Sequence, residues 1–110
     1  MTEQDAQRLS DIIEFGERSL RLVGGRDVEA FSGDEAAAYA VRYCIQVIGE
    51  AAGSLSQEAK ARYPQIPWQD IVAMRHKIAH HYQTISSAIL HATVMGPLTE
   101  LLDDLRRPTS

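Results

Sequence analysis

Apolar residues recur along this chain at helical intervals: Leu9, Ile12, Ile13, Leu20 and Val23 first, then Tyr39, Tyr43, Ile45, Val47, Ile48 and Leu55. No segment alternates convincingly in the two-residue rhythm of a strand. The first helix is expected from about Glu3 to Val23, ending at Gly24-Gly25, because glycine supplies a C-cap and turn without steric cost. Arg26 to Gly33 reads as a connection with a short helical turn around Val28 to Phe31. Asp34 then serves as the N-cap of a second helix running to Ala51 or Ala52, toward Gly53-Ser54. The small residues Ala36 to Ala38 permit close packing against a neighbouring helix.

Ser56 followed by Glu58 and Ala59 predicts a short third helix. Tyr63-Pro64-Gln65-Ile66-Pro67 must end it, since two prolines remove backbone donors and restrict the residues before them. A fourth helix opens at Pro67 or Trp68 and carries Ile71, Met74 and Ile78 on one stripe. After Tyr82 to Ser87 a last helix carries Ile89, Leu90, Val94, Leu98, Leu101, Leu102 and Leu105, with a kink expected at Pro97 and closure at Arg106-Arg107-Pro108. The expected fold is all-α, an antiparallel bundle of four to five helices.

The 110 residues suit a single domain over residues 1–110, with no repeat or low-complexity linker. Hydrophobic content of 45% and charged content of 24% are those of a folded globular chain. The N-terminus lacks the basic start and apolar run of a signal peptide, and no apolar stretch approaches the ~20 residues that span a bilayer, so a cytoplasmic protein without a membrane association is expected. The lone cysteine, Cys44, excludes an internal disulfide; its neighbours Tyr43, Ile45, Val47 and Ile48 place it in the core, and no adjacent His or Lys activates it. A net charge of −4 argues against broad nonspecific binding to nucleic acid but leaves room for a focused, salt-sensitive basic cleft.

The chemistry is concentrated in Met74-Arg75-His76-Lys77-Ile78-Ala79-His80-His81-Tyr82. No Asp or Glu lies between Asp70 and Glu100, which leaves this run positive. At 100° per residue, Arg75 and Tyr82 fall within about 20° of one another while His80 lies about 140° from Arg75. One continuous helix cannot aim all three at one point; either the helix distorts near His80 or a second copy of the chain completes the site. Arg75 also lies near the meridian of Ile71 and Ile78, where a guanidinium needs a partner or a task.

Several readings compete for these residues. Arg75, His76 and Lys77 can be the solvated end of a helix, where cations favour the terminal carbonyls. His76 and His80 have the i, i+4 spacing of a helical zinc site, but no Glu follows His76, no second Cys exists and only the remote His91 remains as a third ligand, so no metal is assigned. Phosphoryl chemistry needs a group titrating near neutrality and a permanent cation, which His80 and Arg75 supply. Cleavage of RNA by its own 2′-hydroxyl needs no metal if an imidazole takes that proton and a guanidinium holds the nonbridging oxygens. Tyr82 is a packed aromatic, a substrate contact or an acceptor of a modifying group.

At these residues the chain resembles the HepT-like toxins of the HEPN superfamily, small helical ribonucleases marked by Arg, four residues, His, one residue, Tyr. The resemblance extends upstream to Ile66-Pro67-Trp68 with Ile71 and Met74, and to Val47-Ile48-Gly49-Glu50-Ala51 on the second helix. It implies the toxin of a type II toxin–antitoxin system. Such a toxin is a metal-independent endoribonuclease without a cofactor, an obligate homodimer with its cleft at the subunit interface. In that scheme Arg75 stabilises the transition-state phosphate, His80 is general base or acid and His76 assists. Tyr82 is the regulatory target, receiving AMP from a nucleotidyltransferase antitoxin of the MNT type. Glu50, Lys77 and His81 are supporting candidates, Glu50 either as the partner of a cation in the cleft or as a surface carboxylate. Two positions depart from close relatives: His76 stands where Asn is common and His81 where Asp is common, making the cluster more basic. The alternative from another class is a noncatalytic helical partner that binds and regulates a nucleotidyltransferase.

Overall fold

The computed structural model describes residues 1–80 and 85–107. Helix α1 spans Glu3–Val23, α2 Val28–Ser32, α3 Glu35–Gly53, α4 Gln57–Ala61, α5 Trp68–His80, α6 Ser87–Thr93 and α7 Thr99–Arg106, with a π-helical turn, Val94–Leu98, joining α6 to α7. Among the described residues there is no strand, and the chain is an all-α bundle measuring 41 × 27 × 21 Å. No described helix is long and apolar enough to cross a membrane.

Short polar side chains start the helices. Asp27, Asp34, Ser56 and Ser86 each accept the backbone N–H three residues on, satisfying a donor with no partner inside its helix. Thr2 and Asp5 form a reciprocal capping box on α1. Gly24 ends that helix at φ 61°, a left-handed turn that a side chain would strain. The expected kink at Pro97 is a local widening: the ring lacks an N–H, the helix takes a π turn around it, and the Thr99 hydroxyl donates to the Val94 carbonyl at 2.8 Å.

Helix α3 is the axis of the bundle, packed along its length against α1 on one side and α5 on the other, with α6 and the π turn closing over α2 and α1. Ile12, Phe31, Val41, Ile45, Ile48, Leu90, Val94 and Leu98 are fully buried at this junction. Burial of such side chains contributes roughly 1.5–3 kcal/mol each, which is what holds together helices too short to persist alone. Three residues that share the apolar rhythm are exposed. Tyr39 is 61% exposed, Tyr43 60% and Ile89 43%. Periodicity gives the direction of each side chain, but whether another helix covers that direction is a tertiary matter, and Tyr39 and Tyr43 point outward from α3.

The start of α1 is latched to the corner between α3 and α4. Buried Asp5 accepts hydrogen bonds from the Ser56 N–H at 3.0 Å and the Ser56 hydroxyl at 2.7 Å, and Arg8 Nε donates to the Ser54 carbonyl. The Ser56 backbone donor, aided by its hydroxyl, holds the Asp5 carboxyl down at about 2. The terminal amine adds an ion pair with Glu58.

Candidate functional site

Helices α3 and α5 run antiparallel, so that Gly49 meets Arg75 and Gly53 meets Val72. Ile71 and Ile78 turn into the core, and the position between them on that face belongs to Arg75. Its stem is half-buried against α3, and its guanidinium Nη2 donates to Glu50 Oε1 at 3.1 Å. The partner that a guanidinium on an apolar stripe demands is therefore Glu50, itself exposed. The pair is separated by 25 positions in sequence, so the absence of acids between Asp70 and Glu100 does not leave the cluster uncompensated.

The next residue, His76, joins this pair around a shallow pit of about 440 Å³ whose walls include Glu50, Ser54, Val72, Arg75 and His76. His80 lies one turn further along the same edge of α5. Its ring is parallel to that of His76, with 6.1 Å between centroids and 3° between planes. Both imidazoles are exposed. The arrangement offers a permanently charged donor, restrained by a carboxylate, beside the imidazole of His76, while His80 sits a turn further on and about 140° around the helix from Arg75.

The other candidates separate from this group. Lys77 lines the opposite side of α5, in a groove of about 650 Å³ shared with Asp70, Met74, Ile89, Glu100 and Asp104. His81 and Tyr82 lie outside the described residues. His91 is occupied elsewhere: its Nε2 is 2.8 Å from the Arg26 carbonyl and its ring leans on Phe31. Among the described residues no three His, Cys, Asp or Glu side chains gather as a metal set. Cys44 is buried, as expected of a packed thiol, and burial pushes its thiol pKa up.

Sequence reasoning missed Gly49, over which Arg75 crosses, and Asp5, which ties α1 to α4. The Thr2-x-x-Asp5 spacing signalled the capping box. Nothing in the linear order of residues placed Asp5 beside Ser56.

Comparison with known proteins matches residues 6–107 to the family described as ribonuclease HepT-like. The chain belongs to this HepT-like family. A probable ribonuclease HepT of Thermococcus cleftensis is 32% identical over 93 residues, covering 84% of this chain and 82% of that protein. A Methanocaldococcus jannaschii protein named as a candidate RNase is 27% identical over 99 residues, 90% of this chain and 82% of its own length. A third relative, named as a candidate RNase of Caldanaerobacter subterraneus, is 29% identical over 93 residues, covering 84% and 83% of the two chains. No solved structure matches significantly. Membership in the HepT-like family agrees with the all-α bundle.

Proposed function

We propose that this chain is a metal-independent endoribonuclease, the toxin of a toxin–antitoxin pair, working in the cytoplasm as one domain that pairs into a homodimer. The observation that carries the reading is the Arg75–Glu50 ion pair beside the parallel His76 and His80 rings. In the reaction His80 takes the proton of an RNA 2′-hydroxyl, whose oxygen attacks the adjacent phosphorus while the bond to the 5′-oxygen breaks and that oxygen is protonated. Negative charge builds on the nonbridging oxygens, and Arg75 meets it with paired donors. His76 assists by carrying a second proton.

Two features support a second copy. Helix α5 runs without interruption from Trp68 to His80, so Arg75 and His80 keep the roughly 140° separation of an undistorted helix. Convergence on one phosphate is then served by a partner's residues across a shared cleft. Tyr39, Tyr43 and Glu50 lie within about 40° of one line along α3, which puts exposed aromatic surface of the kind enriched at interfaces on the same face as the candidate site. Tyr82, two positions beyond His80, is the residue we assign as acceptor of AMP from a nucleotidyltransferase antitoxin. A bulky anion there fills the cleft and competes for the Arg75 guanidinium.

The test is cleavage of mixed tRNA and messenger RNA by chelator-treated protein, with intact mass recorded, beside His80→Ala and Arg75→Ala. Loss of cleavage in both variants, with helical content and oligomeric state retained, is the expected result. Full cleavage by either purified variant sinks the mechanism. No cleavage from wild-type protein of unmodified mass points instead to a noncatalytic partner of the nucleotidyltransferase.

A further inference from the structure

A Cβ built on Gly49 would stand 2.2 Å from the Cβ of Arg75, 2.9 Å from its Cγ and 3.1 Å from its Cδ. The first of these is far inside van der Waals contact. Because the Arg75 Cβ is attached directly to the α5 backbone, no rotamer relieves the overlap, and only a movement of one helix away from the other can. Gly53, one turn along the same helix, behaves differently: its Cβ would meet Val72 methyls at 3.7 and 3.9 Å, an ordinary contact. Of the two glycines on α3, only Gly49 sits where α5 approaches too closely for a side chain. Glycine is a poor choice for a helix interior, so its presence at this point runs against local preference.

The gap left by the missing side chain is occupied by the stem of Arg75. Its Nε is enclosed and has no hydrogen-bond partner among the described residues, while Nη2 reaches Glu50, the residue after Gly49. Gly49 admits the stem and Glu50 holds the head. We propose that Gly49 is a positioning residue for the cleavage reaction: it lets Arg75 lie on the bare backbone of α3 and so sets where the guanidinium stands relative to the scissile phosphate. This rests on the ribonuclease reading above. A methyl group at position 49 pushes α5 outward and moves the guanidinium with it, and misplacement by about 1 Å is enough to cost on the order of 100-fold in rate.

The test combines two readouts. In steady-state cleavage, Gly49→Ala is expected to lower kcat by roughly 10- to 100-fold with KM changed less than about two-fold, since Arg75 meets charge that exists only in the transition state. Gly53→Ala, whose Cβ would make only ordinary contact with Val72, is expected to lower kcat far less than Gly49→Ala. Independently of activity, solvent exchange of the Arg75 Nε–H is followed by NMR, the signal assigned by its loss in Arg75→Lys. Exchange about ten-fold slower than at exposed Arg21 in the wild type, and faster in Gly49→Ala, is expected of an enclosed group. A folded Gly49→Ala variant with wild-type kcat overturns the proposal, as does wild-type Nε–H exchange as fast as that of Arg21. Should Gly49→Ala fail to fold, the wild-type exchange measurement decides. Wild-type protein that does not cut RNA removes the ribonuclease reading and with it the catalytic consequence, while exchange still judges the seat itself.

Discussion

His76 and His80 present parallel rings, 6.1 Å between centroids, from successive turns of α5. His76 shares a shallow pit with Glu50, and both rings are exposed. Substituting either leaves the core untouched, which makes them clean probes of chemistry as distinct from folding.

Their roles are expected to be unequal. His80→Ala should slow RNA cleavage by about 10²- to 10⁴-fold, the usual contribution of a positioned general base or acid, and the assisting His76→Ala by a smaller factor. Single-turnover rates on chelator-treated protein, with circular dichroism as the check on folding, give the comparison. Equal rates for the two variants contradict this division of labour.

The Asp5–Ser56 contact makes a prediction about pH. Hydrogen bonds from Ser56 and Thr2 lower the Asp5 carboxyl from 3.8 to about 2 in the folded chain. A group depressed on folding stabilises the native state fully above its unfolded value and loses that contribution as pH falls toward the folded value. Thermal melts between pH 4 and pH 2 should therefore show a decline that is shallower in Asp5→Asn, whose melting temperature at neutral pH is already reduced. Identical slopes for the two proteins would remove Asp5 from the account.

Cys44 should be chemically silent. Burial raises its thiol pKa, the nearby Arg18 and Arg21 only partly opposing that, so little thiolate forms near neutrality and the sulfur is covered. Alkylation followed by mass spectrometry is expected to be slow in buffer and complete in denaturant. Rapid modification of the native protein would show that the α1–α3 face opens.

Ile48 is fully buried immediately before Gly49. Ile48→Ala is expected to cost about 2–5 kcal/mol of stability by leaving a cavity in the junction of the helices. Urea denaturation measures it directly. A loss below about 1 kcal/mol would mean that the core collapses around the site more readily than close packing allows.

Much of the bundle was legible in the linear sequence because helix ends are local events. The Asp34 and Ser56 caps, the Gly24 turn and the break at Tyr63 to Pro67 are set by hydrogen bonds and sterics within about four residues. Family membership was legible for a related reason, since Arg75, His80 and Tyr82 keep their spacing along one short segment. The partners of these residues were not. Glu50 was visible only as a candidate, and the sequence could not say that it reaches Arg75 across 25 positions, that Gly49 carries the crossing, or that Lys77 faces another groove. Nor could apolar rhythm alone tell covered Ile45 from exposed Tyr39 and Tyr43. Helical order is written by neighbours in the chain, whereas the placing of a guanidinium depends on how closely two helices approach, and only packing in three dimensions decides that.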